Sequence, residues 1–242
     1  EMTTRQRGLA EVSRVDVTRL EDADATRANI LSALERLGQA EPEDTVIVYY
    51  AGHGTARDAR YFLLPHDFSV SPEGELLDVI SDTELEEAFE RVNAAHVLFV
   101  LDSCNSGQVL DSDERRRGPM NTRGLAQLAY EKGMFVLAAS QGYQAANEAR
   151  DLGHGFLTYS LVKEGLMTDI ADRLPKDGRL TVEELFDFAS ARVPELQMQQ
   201  QRAGGARGLE LGSSAARTAE SEGRDVQRPR AFFRTRSEAS RF

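Results

Sequence analysis

The stretch VLFVLDSCNSGQ, residues 97–108, holds the only cysteine in the chain. It opens with five apolar residues in a row, the pattern of a strand buried on both faces, as in a parallel sheet. The run stops at Asp102, and Ser103, Cys104, Asn105, Ser106 and Gly107 follow as small polar residues of the kind that form turns. A lone thiol at the end of a buried strand has two readings. Cysteine is among the most buried residue types, so the group can be an inert part of the core. It can also be a nucleophile, provided a base stands close to it.

Two further runs have the same character: TVIVYY, residues 45–50, which ends in AGHG, and MFVLAAS, residues 134–140. Segments at helical spacing separate them. Ile30, Leu31, Leu34 and Leu37 form one apolar stripe, with Asp24 placed to cap its start and Gly38 to end it. Leu85, Ala88, Phe89 and Val92 form another, opened by Ser81 and Glu84 as a capping box. LAQLAYEKG reads as a helix, GFLTYSLVKEGL as an amphipathic helix, and TVEELFDFASARV as a helix with Thr181 and Glu184 as its box. VSRVDVTRL, residues 12–20, alternates and reads as a strand; RYFLL is a short strand stopped by Pro65; RPRAFFRTR contains a last one. Buried strands alternating with amphipathic helices predict an α/β fold with a mostly parallel central sheet flanked by helices. In such sheets, sites form beyond the carboxyl ends of the strands, where both AGHG and DSCNSG fall.

His53 precedes Cys104 by roughly fifty residues, a spacing shared by known His and Cys pairs. If their strands are parallel neighbours, the two residues emerge at one edge, as thiol catalysis requires: the thiolate attacks a carbonyl and the imidazole manages the proton of the leaving group. Small flanking residues leave room for a substrate backbone, and the N–H groups of Gly54 and Cys104 are the natural oxyanion donors.

Together, YYAGHG and LDSCNSG resemble the paired motifs of caspase-like cysteine peptidases, most closely the bacterial metacaspase or orthocaspase type. The likeness extends from about Val12 to Arg192 and takes in RLEDADATRANI, YFLLPHD and GHGFLTYSLVKEGL, with a weaker match at QRPRAFF. It implies a caspase-like fold and peptide-bond hydrolysis, with Cys104 as nucleophile, His53 as its proton partner, and Gly54 and Cys104 forming the oxyanion hole. It also implies that Asp102, two residues before the nucleophile, lies in the S1 pocket and selects Arg, or Lys, at P1. A partly desolvated carboxylate is well matched to a guanidinium. Ser140 is a further candidate for the S1 wall. Asn105 stands where the family usually has His, and the acidic residue that metacaspases often carry near Gly142 or Tyr143 is absent. The family's first strand and helix precede Val12 in register, so that strand is apparently absent from this chain, and a second fragment or an upstream domain is the expected source.

The same resemblance places proteolytic processing in the loop DERRRGPMNTR, with Arg115, Arg116, Arg117 and Arg123 as candidate sites; the alternative there is a solvated charged loop. Some metacaspases need calcium. The spacing of Asp111, Asp113 and Glu114 specifies no site, and in KDGRLTVEE an EF-hand register would put Arg173 and Pro175 at ligand positions, so that stretch reads as a capped helix start. No metal or other cofactor is indicated by the sequence, and calcium activation is left open.

The net charge of -11 argues against a general nucleic-acid binder, which needs clustered Lys and Arg. No apolar run approaches the roughly 18 residues needed to span a bilayer. A single cysteine cannot close an intrachain disulfide, so a reducing, cytoplasmic setting is the simplest reading. The resemblance, together with the change in composition near residue 199, divides the chain into a caspase-like peptidase domain over 1–198, a flexible insertion over 199–226 and a C-terminal strand and tail of the same domain over 227–242. The sequence therefore predicts a cysteine endopeptidase acting on proteins after basic residues, switched on by processing or an upstream signal. The alternative is a catalytically inactive caspase-like module for signalling or assembly.

Overall fold

The computed structural model describes residues 13–57, 60–105, 129–130, 132–139, 148–149, 154–173, 175–209, 227 and 229–232. Six strands form one sheet: β1 (Thr45–Arg57), β2 (Arg60–Leu64), β5 (Ile80–Ser81), β6 (His96–Asn105), β7 (Phe135–Ala138) and β10 (Arg230–Phe232), in the order β10-β7-β6-β1-β2-β5. β1, β6 and β7 are parallel, while β2, β5 and β10 extend the sheet antiparallel on its two sides. Two small hairpin-like pairs stand apart from it, β3 (Ser69–Val70) with β4 (Leu76–Leu77) and β8 (Glu148–Ala149) with β9 (His154–Gly155).

Period-two alternation along β6 explains why its apolar run is unbroken. Val97, Phe99 and Leu101 pack on one face against Leu34 of α1 (Arg27–Arg36) and Leu85, Ala88 and Phe89 of α2 (Asp82–Glu90). Leu98 and Val100 pack on the other face with Phe156 and Leu157 of α3 (Phe156–Thr158), Leu161 of the π-helical stretch Tyr159–Leu166, and Leu185 and Phe186 of α4 (Val182–Leu209). The sheet is thus buried by helices on both sides, the arrangement that a parallel centre requires.

Local chemistry sets the helix starts. At α2 the Ser81 hydroxyl accepts the Glu84 N–H at 3.3 Å, and the Glu84 carboxylate accepts the Ser81 N–H at 2.9 Å. The other Glu84 oxygen pairs with Arg27 and ties α2 to α1. Thr181 and Glu184 form the same box at α4, with N–H···O distances of 3.2 and 3.0 Å. Glu184 also accepts the Arg173 N–H at 3.2 Å, so KDGRLTVEE is a capped helix start.

Several elements differ from the sequence expectation. Residues 13–20 form no strand: most are exposed, and among the described residues no strand pairs with them. The cap of α1 is Thr26, whose hydroxyl accepts the Asn29 N–H at 3.3 Å, because Asp24 is taken up in a 3-10 turn, Asp22–Asp24. β1 and β6 continue through AGHG and DSCN instead of ending before them, since each gains ladder partners there. α4 runs through Pro194 to Leu209, so 199–209 is helical where the composition suggested a mobile loop; 210–226 lies outside the described residues. Within LAQLAYEKG, Ala129, Tyr130 and Lys132 are helical. The expected last strand is β10, which returns the chain to the sheet against β7.

Candidate active site

β1 and β6 are the two central strands, and their parallel ladder runs from Thr45 opposite His96 to Gly54 opposite Asn105. Within it, His53 is the partner of Cys104 and Ala51 the partner of Asp102. Neighbouring strands lie about 4.8 Å apart. Two motifs far apart in the chain therefore occupy adjacent positions at the carboxyl ends of parallel strands. Cys104 and Asn105 are described through their backbone; His53 is exposed and Gly54 buried.

Two tyrosines hold this end of the sheet. The Tyr50 hydroxyl lies 3.0 Å from the carbonyl oxygen of His53 and 3.1 Å from that of Leu64 and shares its one proton between them, and those two residues are partners across β1 and β2. The histidine backbone is thereby tied to the neighbouring strand. From β2, Tyr61 bonds through its hydroxyl to that of Ser103, the residue between Asp102 and Cys104; both side chains are buried. The glycines of GHG make these contacts feasible. A Cβ at Gly52 would lie 2.9 Å from the Tyr50 hydroxyl oxygen, and one at Gly54 only 1.8 Å from that of Tyr61. The small residues beside His53 thus admit two tyrosine hydroxyls, a use beyond the space for substrate that the sequence suggested.

Asp102 continues the even-numbered series of Leu98 and Val100 and meets α3. It is 8% exposed and accepts a hydrogen bond from the Thr158 hydroxyl, Oγ1 to Oδ2, at 2.6 Å. Burial pushes its carboxyl above the usual carboxylate range, and the Thr158 hydroxyl and backbone N–H oppose that shift by favouring the charged form. The Thr158 hydroxyl also bonds to that of Tyr49 on β1. The Tyr49 ring is half exposed, and local desolvation at its hydroxyl end, followed by the charge of Asp102, pushes its phenol upward. Among the described residues, no arginine or lysine pairs with Asp102. A buried carboxylate with neutral partners is a site suited to an incoming cation.

Tyr49, Tyr50, Tyr61 and Thr158 were not singled out in the sequence. Each belongs to an ordinary apolar or helical run, and the contacts that give it meaning join different elements. Ser140, Arg115, Arg116, Arg117, Arg123, Asp111, Asp113, Glu114, Gly142 and Tyr143 lie outside the described residues. Among the described residues, no three His, Cys, Asp or Glu side chains gather as a metal site, and no helix is long and apolar enough to cross a membrane. A cleft of about 430 Å³ beside the α4 start is lined by residues such as Arg173, Asp177, Arg179 and Phe188, and neither His53 nor Asp102 contributes to it.

A helix-covered sheet with a parallel centre, and with His and Cys side by side on its two central strands, defines a caspase-like α/β protein. Comparison with protein-family models matches residues 7–208 to the caspase domain. The chain belongs to that family, which is one of cysteine peptidases. No curated protein matches it.

Proposed function

We propose that the protein is a cysteine endopeptidase of the metacaspase or orthocaspase type that cleaves proteins after Arg, and also Lys, through a Cys104–His53 dyad. The observation that carries this reading is the His53–Cys104 register pair, with the buried carboxylate of Asp102, which no cation among the described residues pairs with, two residues earlier on the same strand. A guanidinium entering beside Asp102 forms a charge-assisted pair and fixes the P1 residue, which brings the scissile carbonyl to Cys104.

The Cys104 thiolate then attacks the carbonyl carbon. The N–H groups of Gly54 and Cys104 receive the negative charge that develops on the carbonyl oxygen. As the C–N bond breaks, protonated His53 gives its proton to the departing amine, and a thioester remains. Neutral His53 next takes a proton from water, the resulting hydroxide displaces the thiolate, and the acid product leaves. Ser140 completes the S1 wall in this reading.

Activation belongs to the same proposal. An enzyme with this pocket finds targets in its own DERRRGPMNTR loop, at Arg115, Arg116, Arg117 or Arg123. Among the described residues, Thr45–Gly52 of β1 has a strand partner only on the β6 side, and a strand from a second fragment or upstream domain would fit the other edge. The lone cysteine suits a cytoplasmic setting. Hydrolysis of Arg-P1 and Lys-P1 peptides by the wild type, set against Cys104→Ala, tests the activity; a wild type inert towards both would dismiss it in favour of a non-catalytic caspase-like module.

A further inference from the structure

We infer that Thr158 is a positioning residue for basic-P1 selection, holding the Asp102 carboxylate toward the incoming cation with its own hydroxyl oriented by Tyr49. The inference rests on the reading of Asp102 as the P1-recognising group.

Three observations lead there. First, the hydrogen bonds that reach the Asp102 carboxylate from described residues both come from Thr158, through Oγ1 at 2.6 Å and through the backbone. A buried carboxylate is costly to keep charged, so the group that donates to it decides both its ionisation and its direction. Second, a threonine hydroxyl has one proton. Thr158 gives that proton to Asp102, so toward Tyr49 it is the acceptor and the Tyr49 phenol is the donor. The chain Tyr49–Thr158–Asp102 therefore has a single sense, with its negative end at Asp102. Third, the approach is close. A Cβ at Gly155, just ahead of α3, would lie 3.0 Å from Oδ2 of Asp102, so the glycine lets the start of α3 sit against the carboxylate. None of these residues is adjacent in sequence to Asp102, and the arrangement joins β1, β6 and α3.

The consequence concerns selection among P1 groups. Arginine and citrulline are nearly the same shape, and only arginine is charged. The ratio of kcat/KM on Arg-P1 to that on citrulline-P1 peptides thus reads the carboxylate itself and is insensitive to a general loss of active enzyme. Thr158→Val keeps the branched shape and removes the hydroxyl; Thr158→Ser keeps the hydroxyl and removes the methyl. Tyr49→Phe removes only the outer donor.

The experiment measures this ratio for the full chain as wild type, Thr158→Val, Thr158→Ser, Tyr49→Phe and Asp102→Asn. The ratio should fall about tenfold in Thr158→Val, mostly through KM for Arg, as expected for one lost hydrogen bond to a charged group. It should return toward wild type in Thr158→Ser and fall by less in Tyr49→Phe. If Thr158→Val does not fold, Tyr49→Phe and Thr158→Ser still read the chain. A wild-type ratio in both Thr158→Val and Tyr49→Phe, beside a collapsed ratio in Asp102→Asn, overturns the role of Thr158 and leaves that of Asp102 standing. An unchanged ratio in Asp102→Asn removes Asp102 from P1 recognition and takes this inference with it.

Discussion

The hydroxyls of Tyr61 and Ser103 meet across the middle of the sheet, the tyrosine reaching from β2 past Gly54 of β1 to the serine on β6. Cys104 is the next residue after Ser103, and Gly54 is the next after His53. One buried hydrogen bond thus braces the strand ends that carry both halves of the proposed dyad.

Replacing Gly54 with alanine forces this brace apart, because the new methyl would lie 1.8 Å from the Tyr61 oxygen and 2.6 Å from the ring carbon bearing it. The ring is fully buried and cannot swing into solvent. Gly54→Ala should lose about 1–3 kcal/mol of stability by overpacking. Urea denaturation measures it; an unchanged midpoint would show that β2 yields freely.

Tyr61→Phe is the milder change. It leaves the ring and deletes the hydroxyl, so the buried Ser103 hydroxyl loses its partner. The cost should be about 1–2 kcal/mol. The matching loss on Arg-P1 peptides should fall more on kcat than on KM, since Ser103 is joined directly to the proposed nucleophile Cys104, while the carboxylate of Asp102, on the same strand, has its own hold from Thr158. An effect confined to KM would place Tyr61 elsewhere in the mechanism.

Asp102 gives a pH signature with a definite sign. Burial raises its pKa in the folded state, so the fold favours the protonated form. The folded state then binds more protons than the unfolded chain between the two pKa values, and stability falls as pH rises through that window. Below the ordinary value of 3.8 the penalty is absent; above the raised folded value it is complete. Asp102→Asn should therefore melt at a higher temperature than wild type at neutral pH, with the gap closing in acid, while Arg-P1 cleavage is lost. Equal melting at neutral pH would mean that the carboxylate is better solvated than its burial indicates.

Much of the fold was legible because burial writes directly into sequence. The runs at 45–50, 96–101 and 134–140 became the three parallel strands, and both Ser/Thr–Glu boxes cap helices. The alternation at 12–20 misled, since a pattern of residue types cannot supply a neighbouring strand. The lengths of β1 and β6 were also hidden: small polar residues look like turns, yet here the ladder between the two strands carries them on as strand. At the site, the His and Cys motifs were visible because both lie at the ends of strong apolar runs. Thr158 and Tyr49 were not, because their meaning lies in contacts 56 and 109 residues distant.

Arg192 on α4 holds the Glu164 carboxylate with two hydrogen bonds, at 2.7 and 2.8 Å, and so joins α4 to the π-helical stretch that follows Thr158. Arg192→Ala should cost about 1–3 kcal/mol, the range for hydrogen bonds between charged groups. Thermal melting at two salt concentrations checks it. A loss that vanishes at high salt would mark the pair as a screened surface contact.

Self-processing is the outcome expected if the proposed basic-P1 pocket is present. Intact-mass analysis of the active protein should find cleavage after one of Arg115, Arg116, Arg117 or Arg123, and Cys104→Ala should remain a single chain. An uncut loop in active wild-type protein would separate activity from processing.

The central claim is that Cys104 attacks peptide bonds selected by a basic P1 residue. Its most direct measurement is kcat/KM on matched peptides with Arg, Lys and Asp at P1, for wild type and Cys104→Ala. The account predicts cleavage after Arg and Lys, none after Asp, and a loss of at least about a thousandfold in the variant. Arg-P1 hydrolysis that survives Cys104→Ala, or a wild type that prefers Asp, would contradict it.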